Sequence, residues 1–319
     1  MIISNVNSYK NWDVLQLGDI VDIIAPACGC DEIEITKSIE FIKSLGLVPR
    51  VQDNICDPSA MALCANSDEF RFNDLKRALY AKDSKAIWCL RGGYGCCRIV
   101  NDLYKIRAPR NSKLFIGFSD ITTLLIFLNQ RWRWSVIHGP VLFQIINQSI
   151  DQISIDAIKN VIFGQTDKMI YDNIMPLNDA ARINKSVYSH ILGGNLCLLQ
   201  NSIGTNWQLK SKNNIIFIEE VGERAYRIER MLIHMLHAGL FTHANAIIFG
   251  DIVGGVEKDS TSLHEMVLNK FAATLDIPVL QMKNVGHGYT NYPLPMGTNA
   301  ILRLNNKSAT LQCNVGFVK

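Results

Sequence analysis

The stretch KLFIGFSDITTLLIFL, residues 113–128, decides how the first half of the chain folds. Its first, largely apolar residues predict a buried strand, and the apolar run after Asp120 predicts a helix packed on that strand. The polar break between them is Gly117-Phe118-Ser119-Asp120. A serine on such a tight turn projects its hydroxyl from the sheet edge, where the following N–H groups can point at the group it attacks. Two interpretations of Ser119 remain open at this point, a nucleophile or a cap of the helix.

The same alternation of apolar strands and helices runs through the first half of the chain. Asp31 and Glu34 have the spacing of a capping box at the start of one helix. Four further strands are predicted at 21–27, 47–51, 86–90 and 135–138. This rhythm predicts an α/β fold with an open, mostly parallel sheet and helices on both faces. Ligands bind beyond the carboxyl ends of such strands, where both Arg91–Gly95 and Ser119 are expected.

The regular alternation of strands and helices changes after Gly164, which suggests a division into two domains. We expect an N-terminal α/β domain over 1–164, a linker with a short strand or two over 165–189, and a C-terminal domain over 190–319. The C-terminal domain is predicted to contain an apolar strand at 213–219, and a hairpin whose strands cover 300–304 and 310–315.

Composition restricts the classes of function. Hydrophobic residues make up 48% of the 319 residues and charged residues 19%, which is typical of a soluble globular protein. The net charge of +3 suggests neither a nucleic-acid nor a membrane partner, and no apolar run approaches the length of a membrane span. Residues 1–17 lack the pattern of a secretory signal. The nine cysteines form an odd set without paired zinc spacing, so a cytoplasmic, reduced protein is expected.

A nucleophilic serine needs a base to accept its proton and an acid to orient that base. His287 lies in Val285-Gly286-His287-Gly288-Tyr289, where flanking glycines allow the ring to approach another group closely. Glu219 ends the predicted strand NNIIFIE, and a carboxylate there needs a partner if it is buried. The alternatives are a solvent-facing loop histidine and a glutamate that only marks where the strand reaches water.

The glycine loop Arg91-Gly92-Gly93-Tyr94-Gly95 could supply oxyanion donors. The backbone N–H groups of Gly92 or Gly93, together with that of Asp120, would form the two-donor hole that acyl transfer requires. The loop could equally cradle a phosphate or only turn the chain. Four other histidines could in principle hold a metal ion, but their spacing fits no zinc motif, and structural roles are favoured for them and for His138 and His190. The four are His234, His237, His243 and His264.

Six motifs in this order resemble those of the LD-carboxypeptidases of peptidase family S66. They are the IAPA strand, RGGYG, GFSD, GGNL, IEEVGE followed by YRIER, and GHG followed by GTNA, and they span residues 18–304. The resemblance implies a two-domain serine hydrolase whose C-terminal domain is a smaller, β-rich α/β unit and whose site lies between the domains. Its nucleophile would be Ser119, its acid Glu219 and its base His287. Cys28-Gly29-Cys30 and Cys96-Cys97 depart from the family pattern, but neither touches these three positions.

The same resemblance implies a substrate and a biological role. The enzyme would remove the terminal D-alanine of a cytoplasmic murein tetrapeptide, at the bond to the L-centre of the diamino acid, during peptidoglycan recycling. A homodimer is implied, and no metal or cofactor.

Several alternatives stay open beside this interpretation. A relative within the family would hydrolyse the peptide–nucleotide bond of a microcin-type antibiotic and confer immunity. A non-catalytic module would bind a peptide or a phosphate at RGGYG. An α/β-hydrolase lacks support because Ile121 replaces the second glycine of G-x-S-x-G. A cysteine amidotransferase using Cys28 or Cys96 lacks a histidine and an acid tied to those positions by a motif.

Overall fold

A computed structural model describes residues 9–57, 59 and 63–318. Residues 1–8, which belong to the segment 1–17 that lacks the pattern of a secretory signal, lie outside this part. The strands are β1 Trp12–Asp13, β2 Ile20–Ile24, β3 Val48–Arg50, β4 Ser84–Cys89, β5 Leu114–Gly117, β6 Val136–His138, β7 Lys168–Pro176, β8 Lys185–Asn195, β9 Asn214–Val221, β10 Ala246–Val253, β11 Val279–Gln281, β12 Leu294–Met296, β13 Asn299–Leu304, β14 Ala309–Asn314 and β15 Phe317–Val318. The helices are α1 Glu32–Ser44, α2 Asp68–Tyr80, α3 Cys96–Leu103, α4 Thr122–Phe127, α5 Leu142–Ile146, α6 Gln152–Ile162, α7 Leu196–Asn201, α8 Ala225–His237 and α9 His264–Ala272.

The first half of the chain forms the predicted open, mostly parallel sheet. Its strand order is β3-β2-β4-β5-β6-β12, and the first five strands are parallel to one another. The sixth strand, β12, pairs antiparallel with β6 and comes from a distant part of the sequence. The capping box at α1 is present, since Asp31 Oδ1 accepts the N–H of Glu34 at 2.7 Å and the Glu34 side chain accepts the N–H of Asp31.

Both faces of this sheet are buried, which explains why its strands are continuously apolar. On β5, Phe115 packs into one hydrophobic cluster while Leu114 and Ile116 pack into another on the opposite face. The cluster that contains Phe115 continues into the interior of the sheet that the C-terminal half of the chain forms. This shared core holds the carboxyl end of β5 firmly against the C-terminal half of the chain.

The C-terminal half is organised around a closed barrel, which the sequence analysis did not predict. Seven strands close in the order β10-β11-β7-β14-β13-β8-β9. The β8-β9-β10-β11 run is parallel, and the remaining pairs are antiparallel. The predicted hairpin is confirmed as β13 and β14. A β-rich C-terminal unit was therefore correctly expected, but its closure was missed.

Three segments cross the boundaries expected from the sequence. The segment 165–189, expected to be a linker, contains the nine-residue strand β7 and the start of β8, and both belong to the barrel. Residues 294–296, within the expected C-terminal domain, form β12 of the N-terminal sheet, whose Pro295 is tolerated because the strand lies at the sheet edge. Finally, β15 pairs with β1, so the two ends of the described chain lie side by side.

Candidate active site

Ser119 lies on a strained turn immediately after β5. Its backbone φ is +62°, in the left-handed region, and it starts a short 3₁₀ turn, Ser119–Ile121, that leads into α4. Close packing surrounds the turn, since a Cβ at Gly117 would lie 2.7 Å from a methyl carbon of Ile121. A non-glycine residue at positive φ costs of order 1–3 kcal/mol and is concentrated at functional sites. The turn therefore has the geometry of a nucleophile elbow.

The glycine loop after β4 packs against this turn. A Cβ at Gly92 would lie 2.9 Å from the Cβ of Ser119 and 3.2 Å from its Oγ, so only glycine allows this approach. The Gly92 carbonyl accepts the N–H of Cys28 at 3.1 Å. A Cβ at Gly93, which has φ +103°, would instead lie against Cys28. Of the two glycines considered as oxyanion donors, Gly92 is the one whose Cβ position faces Ser119.

Asp120 connects the turn to the same loop through its side chain. Its buried carboxylate accepts the N–H of Cys96 at 2.8 Å, at the first residue of α3. Burial raises the pKa of Asp120, and the hydrogen bond from Cys96 opposes that rise. From the sequence, only the backbone N–H of Asp120 was expected to act, as an oxyanion donor. The carboxylate additionally fixes where the RGGYG loop ends relative to Ser119.

Glu219 and His287 form a short hydrogen bond. Nδ1 of His287 lies 2.5 Å from Oε2 of Glu219, and the glutamate is fully buried. Burial alone would raise the pKa of Glu219, but the charge and hydrogen bond of His287, together with the nearby His138, outweigh it and hold the pKa at about 2. Burial alone would lower the pKa of His287, but the charge and hydrogen bond of Glu219 outweigh it and raise the pKa. The carboxylate therefore stays ionised and orients the imidazole.

The loop that carries His287 is fitted closely to Glu219 and to the serine turn. A Cβ at Gly286, at φ +131°, would lie 3.1 Å from both Cβ and Oε2 of Glu219. The Gly286 N–H donates to Oδ1 of the buried Asn291 at 3.1 Å. The ring of Phe118, the residue before Ser119, lies 4.6 Å from the His287 ring between centroids. Glu219 and His287, from the C-terminal half, thus meet the turn that carries Ser119.

A second contact joins the two halves beside the site. Asn195, which caps α7, donates its backbone N–H to Oγ1 of Thr122 at 3.0 Å, at the first residue of α4. Its side-chain amide donates to Oε1 of Glu220 at 2.9 Å, and the other carboxylate oxygen of Glu220 accepts the N–H of Cys197. Glu220 therefore holds the turn Gly193-Gly194-Asn195 against α4, the helix that follows Ser119.

Replacing Gly194 with alanine should destabilise this junction. Gly194 has φ +138°, and its Cβ would lie 2.4 Å from Oγ1 of Thr122. Strain and overpacking together should lower the free energy of unfolding by about 3 kcal/mol or more. Gly204, at φ +79° with open space around its Cβ position, is the control, and Gly204→Ala should cost only about 1 kcal/mol. Equal losses for the two variants in urea denaturation would contradict the packing argument.

The other histidines do not form a metal site within residues 9–57, 59 and 63–318. No group of three or more His, Cys, Asp or Glu side chains there could hold a metal ion. His264 bonds to the Glu223 carbonyl at 3.0 Å, and His234 to the Gln200 amide at 2.7 Å. His138 is buried beside Glu219, which its apolar sequence context gave no reason to expect.

Among residues 9–57, 59 and 63–318, no helix is both long and apolar enough to span a membrane.

Comparison with known proteins identifies the class to which this fold and site belong. The model of the LD-carboxypeptidase N-terminal domain matches residues 21–139, and that of the C-terminal domain matches residues 188–302. The chain belongs to the S66 LD-carboxypeptidase family of peptidases. The matched segments include Ser119 in the first case and Glu219 and His287 in the second.

Individual relatives agree with this assignment. A Rickettsia conorii protein that carries a provisional carboxypeptidase name is 38% identical, over 88% of this chain and 86% of its own length. The murein tetrapeptide carboxypeptidase of Pseudomonas aeruginosa is 31% identical, over 76% of this chain and 80% of its own length. The crystal structure of muramoyltetrapeptide carboxypeptidase from Oxalobacter formigenes has the same fold. It superimposes with a TM-score of 0.78 at 24% identity, covering 92% of this chain and 98% of that one.

Proposed function

We propose that this protein is a serine LD-carboxypeptidase that releases the terminal D-alanine of murein tetrapeptide in peptidoglycan recycling. Ser119 is the nucleophile, His287 the general base and Glu219 the acid that orients the base. The observation that carries the proposal is the 2.5 Å hydrogen bond between Glu219 and His287 beside the strained turn of Ser119. The murein tetrapeptide carboxypeptidase at 31% identity supports the substrate.

In the first half of the reaction, Ser119 attacks the carbonyl carbon of the bond between the diamino acid and D-alanine. His287 accepts the Oγ proton through Nε2, since its Nδ1 is bonded to Glu219. The Oγ–C bond forms, and the carbonyl oxygen becomes an oxyanion. The backbone N–H groups of Asp120 and of Gly92 or Gly93 are proposed to bind this oxygen, and each such donor contributes about 10²–10³-fold in rate.

Collapse of the intermediate breaks the C–N bond. The imidazolium of His287 gives its proton to the departing amine of D-alanine, and the tripeptide remains esterified to Ser119. Water then attacks the ester with His287 again acting as base, which frees the tripeptide and restores the hydroxyl. Throughout both steps the charge of Glu219 stabilises the imidazolium, as its low pKa of about 2 permits.

The direct test is release of D-alanine. The purified protein should convert murein tetrapeptide to tripeptide and free D-alanine, measured by mass spectrometry. A peptidyl-adenylate analogue assayed in parallel distinguishes the microcin-type alternative, because preferential turnover of that analogue would replace the proposed substrate. No turnover of either compound, with no labelling of Ser119 by a fluorophosphonate, would favour the non-catalytic binding module.

The pH dependence of kcat/KM should follow His287. Because its pKa is raised above the ordinary value of 6.5, and because the base must be neutral, kcat/KM should rise with pH through a midpoint above 6.5. Glu219→Gln removes the charge that raises this pKa, so the imidazole should titrate at lower pH when followed by NMR. A wild-type midpoint below 6.5 would contradict the electrostatic assignment.

The proposed organisation is of two domains that share the site, an N-terminal domain over 1–164 and a C-terminal domain over 190–319 completed by the barrel strands of segment 165–189. The protein is proposed to assemble as a cytoplasmic homodimer. The separate N- and C-terminal family models support the division. Light scattering of the purified protein tests the dimer, and a monomeric mass would contradict it.

A further inference from the structure

His138 is a buried histidine that the proposed mechanism does not use. It is the last residue of β6 and pairs with Gly117, the last residue of β5, two residues before Ser119. Its side chain is fully buried, and neither imidazole nitrogen has a hydrogen-bond partner among the described residues. A buried polar group without a partner is costly, so its position beside a functional site calls for a reason.

The nearest complementary group is the free oxygen of Glu219. Oε2 of Glu219 is bonded to His287, whereas Oε1 is buried and has no hydrogen-bond partner within the described part of the chain. Nε2 of His138 lies 3.9 Å from Oε1. That distance is too long for a hydrogen bond, but a movement of about 1 Å would bring the two atoms to a normal length. Hydrogen bonds in catalytic sites are often long without substrate and tighten in its complex.

Aromatic packing restricts how His138 can move. The rings of Phe118 and Phe217 contact it edge-on, with centroids 5.6 and 5.2 Å away and interplanar angles of 78° and 75°. Phe118 also contacts the ring of His287 and precedes Ser119 in the chain. These rings surround the His138–Glu219 pair with apolar surface, where a hydrogen bond to a carboxylate is stronger than in water.

We propose that His138 is a positioning residue, whose Nε2–H donates to Oε1 of Glu219 when substrate is bound. The inference rests on the proposed function and extends it. His138 belongs to the N-terminal sheet and Glu219 to the barrel, so this bond fixes the carboxylate of one half relative to the serine turn of the other. With Oε1 held, Oε2 keeps the His287 ring directed toward Ser119.

The test compares two substitutions of His138. His138→Phe retains the ring volume and removes the donor, and it should lower kcat about 10²-fold with KM nearly unchanged, because misplacing a catalytic group by about 1 Å costs this much. His138→Gln places an amide donor near the position of Nε2 and should recover most of the loss. His190→Phe is the matched control and should leave kcat unchanged, because this partly buried histidine contacts the tilted ring of Tyr9, with centroids 4.9 Å apart, and not the site. Where the Phe variant does not fold, His138→Leu supplies the same comparison.

The rate of Ser119 phosphonylation by a fluorophosphonate gives a second reading that does not depend on the substrate. It should fall in His138→Phe in parallel with kcat and recover in His138→Gln. Equal rates in wild type and His138→Phe, a loss confined to KM, or no recovery in His138→Gln would overturn the role of His138 while leaving the proposed function intact. A wild-type protein that neither releases D-alanine nor reacts at Ser119 would overturn both.

Discussion

Replacing Ser119 with alanine should lower kcat for D-alanine release by about 10⁴–10⁶-fold while the protein remains folded. The variant loses the atom that forms the acyl-enzyme, so neither His287 nor the oxyanion donors can act on a serine ester. Residual hydrolysis would come only from water attacking a substrate held in place. Alanine tolerates the φ of +62° about as well as serine, so the free energy of unfolding should change by less than about 1 kcal/mol.

The control for this substitution is another serine in the same backbone region. Ser260 has φ +68° and is exposed, in the loop before α9. Ser260→Ala should leave kcat unchanged. Near-native turnover of murein tetrapeptide by Ser119→Ala, measured by D-alanine release, would show that Ser119 is not the nucleophile.

Replacing His287 with alanine should have an effect of the same size, about 10⁴–10⁶-fold in kcat. Without the imidazole, nothing accepts the proton of Ser119, and the buried Glu219 loses the partner that stabilises its charge. Because the nucleophile and base act as a unit, the double variant with Ser119→Ala should be scarcely less active than either single variant. His234→Ala, at an exposed histidine of α8, is the control and should retain wild-type kcat.

Additive losses in the double variant would contradict a shared proton-transfer step. Circular dichroism and thermal unfolding of each variant separate loss of chemistry from loss of fold. Removal of His287 should also destabilise the protein, since it leaves an uncompensated carboxylate in the interior.

The N-terminal sheet was predictable because each of its strands carries a local signal. A strand buried on both faces is continuously apolar, as in Leu114–Gly117, and the helices between strands begin at residues such as Asp31 with recognisable caps. The closure of the barrel carries no comparable local signal, although its strand at 213–219 and its hairpin do. In β7, Ile170 and Met175 face solvent, and the strand is fixed by pairing with β11 and β14, more than a hundred residues further along the chain. Closure is a property of these distant pairings.

In the candidate site, too, some residues could be predicted from local sequence, whereas their partners could not. Ser119, Glu219 and His287 each follow or end a strand and stand beside glycine or a charge, which made each of them a candidate from the sequence alone. Their geometry adds partners that the sequence does not reveal. The carboxylate of Asp120 bonds to Cys96, and His138 adjoins Glu219 only because β6 lies next to β5 and faces β9 across the shared core.

The most direct test is to map the residue that a fluorophosphonate modifies and to compare it with the loss of D-alanine release. The Oγ–phosphorus bond should form at Ser119 as fluoride departs, activity should fall in proportion to the modified fraction, and murein tetrapeptide should protect. A protein that keeps its activity with Ser119 fully modified, or that loses activity through modification of a different residue, would contradict the assignment of Ser119 as the nucleophile.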